Sequence, residues 1–401
     1  MAKVVCVWEL GENLGHLSNL KAVAERALAK GHQVWIIAKD LSRSDVVFHG
    51  LPVRLLQAPH KLKSSTTNIE GMQCYSQLIR RYCYDTREEL QAYLAAWRSL
   101  FDLIKPDLVF FDHSPLALAA SWGRDYKKIV MGSGFTLPPT ETPLFGVFPT
   151  LKKEESALQK VRSAELQLLN DLTLCLQNYS SDSIKQVADI YRQADLVLRL
   201  TIPELDHFGR RPKGEYIGIW PSHGTYVPTW QGAGRFKVFA YLQPFTGLPK
   251  LLSEFFRQGA EVIVYCPGLK RDDREKLAHS QLQFIDTPAN LDILASQIDI
   301  AVTHANHDTS VLLTLRGVPL LTIPRHQEQL FFALAHARHK LGVMAYQDQQ
   351  SYSEPIRHLL SNHGYRERSL ALGKKYRLQG LAGTRVDEIL ADLESPRQNL
   401  C

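Results

Sequence analysis

Residues 298–334 read IDIAVTHANHDTSVLLTLRGVPLLTIPRHQEQLFFAL. The stretch opens on an apolar run, Ile298 to Val302, of a length that suits a buried strand. A polar cluster follows, Thr303-His304-Ala305-Asn306-His307-Asp308-Thr309-Ser310, rich in helix-capping residue types. Val311 to Leu315 then reads as a helix stopped at Gly317. Val318 to Ile323 is a second strand, Pro324 to Gln329 a second polar loop, and Leu330 begins a second helix. In a parallel sheet both polar loops fall at strand carboxyl ends, where open α/β sheets bind ligands.

The same alternation runs outward from this stretch. Lys3 to Trp8 reads as a strand, Glu9 to His16 as a loop, and 17–30 as a helix with Leu17, Leu20, Val23, Ala24, Ala27 and Leu28 on one stripe. Gly31 stops it, and Gln33 to Ala38 is the next strand. The loop lacks G-x-G-x-x-G, so no dinucleotide fingerprint is present. A short strand within 46–57, a surface loop at 60–75 and helical residues over 76–104 follow. Strands at 108–111, 128–131 and 196–200 come next, with a long helical region over 151–193. Residues 209–235 are rich in Gly and Pro and read as a connection. A second series then places strands at 237–242, 261–265, 282–285, 298–302 and 319–323. The expected fold class is α/β, with two facing Rossmann-like domains and a cleft between them. The domains fall at 1–212 and 236–382, joined by a linker at 213–235 and followed by a C-terminal helix and tail at 383–401.

Composition narrows the function classes. Hydrophobic residues make up 45% and charged residues 22%, which is globular rather than disordered. A net charge of +6 over 401 residues, without a compact Lys/Arg run, argues against nucleic acid as a partner. Six cysteines form no C-x-x-C pair, so no zinc or redox motif is indicated, and a reducing compartment is expected. MAKVVCVWEL lacks a signal-peptide layout, and no apolar run approaches a membrane span. A cytoplasmic location follows as an expectation; peripheral membrane contact and oligomeric state stay open.

Residue order and spacing also carry a resemblance. His304, Thr309, Leu313, Gly317, Val318, Pro319, Pro324, Glu328, Gln329 and Ala333 match the donor segment H-G-G-x-G-T-x-x-E-A-L-x-x-G-V-P-x-L-x-x-P-x-x-x-D-Q-x-x-N-A. Gly15-His16 with Gly31-His32-Gln33-Val34 matches G-H-x-x-P…G-H-x-V, and the strand 106–112 matches P-D-L-V-V-x-D. The chain thus resembles the UDP-glycosyltransferase superfamily with the GT-B fold, particularly its bacterial members. The resemblance implies a glycosyltransferase that moves a hexose from a nucleotide-diphosphate sugar to a hydroxyl of a small-molecule or lipid-like acceptor, with inversion. It implies no resident cofactor; UDP- or dTDP-hexose is a co-substrate.

His16 is the candidate general base, because imidazole accepts protons near neutrality. Asp112 is its candidate orienting partner, the His–Asp half of a triad with the acceptor hydroxyl replacing Ser. The bland alternative is that both residues only cap helices. Donor contacts are assigned to Gly15, Gln243, His304, Asn306, Thr309, Ser310, Glu328 and Gln329. His304 and the helix start at 306–310 would hold diphosphate, and the Glu328-Gln329 pair would hold sugar hydroxyls. No D-x-D stands at a strand end, so metal independence is expected. His307, His326, His336 and His339 are assigned to solvated surface. Ala305 and Asn306 replace two glycines of the family loop, Leu312 its ribose-binding Glu, and Thr287 its base-stacking aromatic. These departures motivate the alternative of a non-catalytic, nucleotide- or partner-binding protein.

Overall fold

The computed structural model describes residues 1–11, 14–62, 71–152, 154–221, 224–232, 234–376 and 381–393. They form two compact units. The first comprises residues 1–200, 211–217 and 382–401, and the second residues 201–210 and 218–381.

The first unit is built on a parallel sheet of β1 (Lys3–Trp8), β2 (Gln33–Ala38), β3 (Arg54–Gln57), β4 (Leu108–Asp112), β5 (Lys127–Gly132), β6 (Leu196–Arg199) and β7 (Glu215–Tyr216). Its strand order is β3-β2-β1-β4-β5-β6-β7. Val4 to Trp8 of β1 and Leu108 to Phe111 of β4 are apolar on both faces and buried, as strands covered on both sides must be. The helical region expected at 76–104 is two helices, Tyr75–Cys83 and Arg87–Ile104. The second starts where the Thr86 side chain accepts the Glu89 N–H, a cap that breaks the run. The helical region expected at 151–193 is Glu155–Leu176 and the short Asp189–Arg192, with the polar Asn178-Tyr179-Ser180-Ser181-Asp182-Ser183 between them. Of the loop expected at 60–75, residues 63–70 lie outside the described residues.

The second unit repeats the plan with β8 (Phe236–Tyr241), β9 (Ala260–Tyr265), β10 (Leu282–Ile285), β11 (Ile300–Thr303), β12 (Leu320–Thr322) and β13 (Gly342–Met344). The order is β10-β9-β8-β11-β12-β13, all parallel. One apolar layer joins Val238, Val262 and Val302 to Leu251, Phe255 and Ile356. Another packs Phe239, Ile263 and Leu320 with Leu294 and Leu313.

The linker expected at 213–235 is divided. Glu215–Tyr216 pairs with β6 as the seventh strand of the first sheet. Ile202 and Leu205, expected in the first domain, pack in the second unit with Val311, Leu312 and Phe332. The last helix, Leu381–Ala391, belongs to the first unit apart from its first residue. There Val386, Ile389 and Leu390 are buried, and Arg385 grips the Glu215 carboxylate at 2.7 and 2.8 Å. Of the expected tail, residues 394–401 lie outside the described residues. No helix among the described residues is long and apolar enough to cross a membrane.

Candidate active site

Each sheet reverses its strand order beside its first strand: between β1 and β4 in the first, between β8 and β11 in the second. Loops leaving the carboxyl ends of two such strands diverge, which opens a crevice at that point. His16 and Asp112 follow or end β1 and β4, Gln243 and His304 follow β8 and β11, and Glu328 and Gln329 follow the neighbouring β12.

In the first unit, His16 sits in the opening turn of the helix Leu14–Ala29 rather than in the loop before a helix at 17–30. Asp112 ends β4 and is fully buried. His16 Nδ1 lies 3.0 Å from Asp112 Oδ1. A carboxylate only accepts, so Nδ1 carries the hydrogen and Nε2 is the proton-accepting nitrogen of the neutral ring. The other carboxylate oxygen, Oδ2, accepts the Asn19 Nδ2–H at 3.1 Å. Trp8, at the end of β1, stacks on the His16 ring with centroids 5.3 Å apart and planes 18° apart.

Backbone bonds tie the loop after β1 to its neighbours. Leu10 N–H donates to the His113 carbonyl at 2.9 Å, and Lys39 Nζ donates to the Gly11 carbonyl at 3.0 Å. Gly11 has φ +92, and a Cβ there would collide with His16 Nε2, so only glycine fits. His113 takes a left-handed φ of 45 and lays its ring 5.8 Å from that of His16. Burial, with Lys39 and the neighbouring His16 adding to it, holds the His113 pKa well below 6.5, so His113 stays neutral. Glu9 is buried, and its Oε2 accepts the Leu116 and Ala117 N–H groups.

In the second unit, His304 is 1% exposed and drawn into the sheet edge. Its Nδ1 lies 2.7 Å from the Ile323 carbonyl, past β12, and its Nε2 lies 3.1 Å from the Gln243 carbonyl, past β8. Burial lowers its pKa. The Gln243 contact to His304 is thus a backbone one. Ser310, expected to face a ligand, turns its hydroxyl inward to Thr303 Oγ1 at 2.9 Å. Thr303 Oγ1 also accepts the Ala305 N–H, which steadies Ala305 at φ 62, the left-handed conformation that the replaced glycine would adopt freely.

The helix His307–Leu315 starts after Asn306, whose side chain makes no cap bond. Its first N–H groups have no intrahelical acceptor and stand at the positive end of the helix dipole. Thr309 stands half-buried on that first turn. Glu328, in the first turn of the helix Gln327–Arg338, is half-buried and has no hydrogen-bond or ion-pair partner among the described residues. Gln329 is buried and spends its Oε1 on the Arg325 N–H at 2.9 Å. Gly15 is exposed and belongs to the first unit, whereas the other expected donor residues belong to the second.

Several residues of the site escape sequence reasoning. Asn19 lies three residues after His16, hence on the same helix face, and that spacing is its only signal. Asp308 places a carboxylate on the helix start itself, bonded to His307 Nδ1 at 2.8 Å. His307 and His336 are not solvated surface. The His307 side chain is 7% exposed and its ring stacks on His207. His336 is fully buried beside Thr314, and burial lowers its pKa to about 3. Leu312 packs with Ile202 and Leu205, so a core leucine fills the position of the family's ribose-binding carboxylate. Among the described residues, no group of three His, Cys, Asp or Glu is placed to hold a metal ion.

No protein-family model and no curated protein sequence matches the chain. Solved structures do. The calicheamicin glycosyltransferase CalG4 is 15% identical, with 99% of each chain covered and a TM-score of 0.71. The spinosyn rhamnosyltransferase SpnG is 16% identical over 97% of this chain and 100% of its own, with a TM-score of 0.64. The Streptomyces sp. SF2575 glycosyltransferase SsfS6, complexed with thymidine diphosphate, is 15% identical over 98% of this chain and 99% of its own, with a TM-score of 0.62. With two parallel-sheet α/β units, each in this strand order, the chain has the GT-B fold of these glycosyltransferases.

Proposed function

We propose that this protein is a glycosyltransferase that moves a sugar from a nucleoside-diphosphate donor to a hydroxyl of a small-molecule or lipid-like acceptor. The observation that carries the reading is the 3.0 Å contact between His16 Nδ1 and the buried Asp112 carboxylate at the switch point of the first sheet. In the proposed step, His16 Nε2 takes the proton of the attacking hydroxyl, and Asp112 stabilises the imidazolium as it forms. The hydroxyl oxygen bonds to the anomeric carbon as the bond to the diphosphate breaks, a single displacement with inversion. The N–H groups that open the helix His307–Leu315, with the Thr309 hydroxyl, would hold the diphosphate. The unpartnered Glu328 would accept sugar hydroxyls. In this reading no metal is required and the protein works in the cytoplasm. Structures similar to this one were solved with thymidine diphosphate, which makes dTDP-sugars the first donors to try, ahead of UDP-sugars.

The test is a screen of dTDP- and UDP-hexoses against hydroxylated acceptors, read as release of nucleoside diphosphate, with and without a chelator. Turnover that falls at least about 1,000-fold in His16→Ala, with an inverted anomeric centre by NMR, supports the proposal. Turnover that is unchanged in His16→Ala sinks it.

A second reading, a non-catalytic nucleotide- or partner-binding protein, is favoured by His304, whose two ring nitrogens already face backbone carbonyls. It calls for nucleotide-sugar binding by calorimetry with no release of nucleoside diphosphate from any donor and acceptor pair.

A further inference from the structure

We propose that Asn19 is a positioning residue of the His16–Asp112 pair: its amide holds Asp112 Oδ2 so that Oδ1 faces His16 Nδ1, which keeps Nε2 as the proton-accepting nitrogen. The inference rests on the transferase reading for its catalytic consequence, but its geometric content stands on the dyad alone.

An Asp side chain turns broadly about its last torsion, so one hydrogen bond to a histidine does not define the carboxylate plane. A second anchor on the other oxygen does, and the 3.1 Å bond from Asn19 Nδ2 supplies it. Only the amide nitrogen of Asn19 can serve, because the carboxylate has no hydrogen to give. The anchor is shielded: Asn19 is 8% exposed and Asp112 0%. It is also rigid, since His16 and Asn19 are one turn apart on one helix and cannot move independently. The helix therefore grips the carboxylate through both oxygens.

The surroundings agree with a built site. Gly132 leaves the space beside the carboxylate open, since a Cβ there would stand 3.3 Å from Asp112 Oδ1 and would overlap Thr136 Oγ1. Trp8 restrains the tilt of the His16 ring from one face. With the carboxylate plane, the ring plane and the helix all fixed, His16 is held in one tautomer.

The experiment reads that tautomer in the full chain. Side-chain ¹⁵N–¹H spectra of the labelled protein assign the His16 ring by the signals lost in His16→Gln. The wild type should show a single Nδ1–H tautomer. Asn19→Leu, of similar size but without the donor, should show both tautomers in exchange. Asn19→Ser, which keeps a small polar side chain, repeats the readout should the leucine variant fail to fold. On any donor and acceptor pair that the screen above yields, kcat should fall about 10- to 100-fold with the donor KM unchanged, the range typical of lost outer hydrogen-bond partners. A folded variant that keeps the single Nδ1–H tautomer, or turns over within about twofold of the wild type, overturns the proposal. Should no pair turn over at all, the transferase reading falls, and the tautomer still decides the role of Asn19.

Discussion

Glu9 Oε2 is held by two backbone N–H groups, while Oε1 is buried without a partner among the described residues. Those bonds and the charge of Lys39 favour the carboxylate, but burial outweighs them and raises the Glu9 pKa from the ordinary 4.5 to about 8. The folded protein therefore holds a proton that the unfolded chain releases at lower pH. The stabilisation is fully present below pH 4.5 and is lost as pH rises through about 8. Glu9→Gln keeps an acceptor for both N–H groups and removes the titration. Denaturant titrations from pH 5 to pH 9 should show the wild type losing up to about 4 kcal/mol that the variant keeps; parallel curves would rule this out. His304 teaches a different lesson. Its type and spacing were readable in the sequence, but its two carbonyl partners, Gln243 and Ile323, come from the segments that follow β8 and β12, and a tertiary contact of that kind leaves no mark on spacing. Asn19 was hidden because a polar residue on an amphipathic helix looks solvent-facing until the residue opposite is known.

The helix His307–Leu315 brings its own negative charge to the place where a diphosphate would dock. Asp308 is favoured there by the helix dipole and by its bond to His307. A bound diphosphate would feel the carboxylate as a like charge. Asp308→Asn should bind dTDP-glucose or UDP-glucose about threefold to tenfold tighter by calorimetry at low salt, with the gain shrinking at high salt. Equal affinities at low salt would show that the anion docks elsewhere. The variant should also lose roughly 0.3–1 kcal/mol of stability, the usual worth of a first-turn carboxylate. Most strands were legible because they are short apolar runs with at most one polar residue: Lys3–Trp8, Gln33–Ala38 and Leu282–Ile285 fall where the pattern puts them. β7 and β13, with two and three residues, were not. They are too short to show a period, and they pair only because the neighbouring strand is already in place.

The two units share one plan, but the chain does not visit them once each. It enters the second unit at 201–210, returns for 211–217, goes back for 218–381 and ends in the first. Sequence reading found the two strand series and took the Gly- and Pro-rich stretch between them for a single linker. The double crossing could not be read, because it depends on Ile202 and Leu205 finding apolar partners about a hundred residues later. Truncation after Leu381 should therefore damage the first unit selectively. It removes Ala382, Val386, Ile389 and Leu390, each no more than 2% exposed, together with the Arg385 clamp on β7. The loss is on the order of 5 kcal/mol. Hydrogen exchange should show β1 to β7 losing protection while β8 to β13 keep theirs; uniform loss would contradict the division.

The returning helix also sets an order of events at the ribosome. Residues 382–393 are synthesised after every residue of the second unit, yet they complete the first. A nascent chain paused near residue 380 holds all the strands of both sheets but lacks the segment that covers the first. During that interval the unit that began folding earliest is the one left open to chaperones and to other chains.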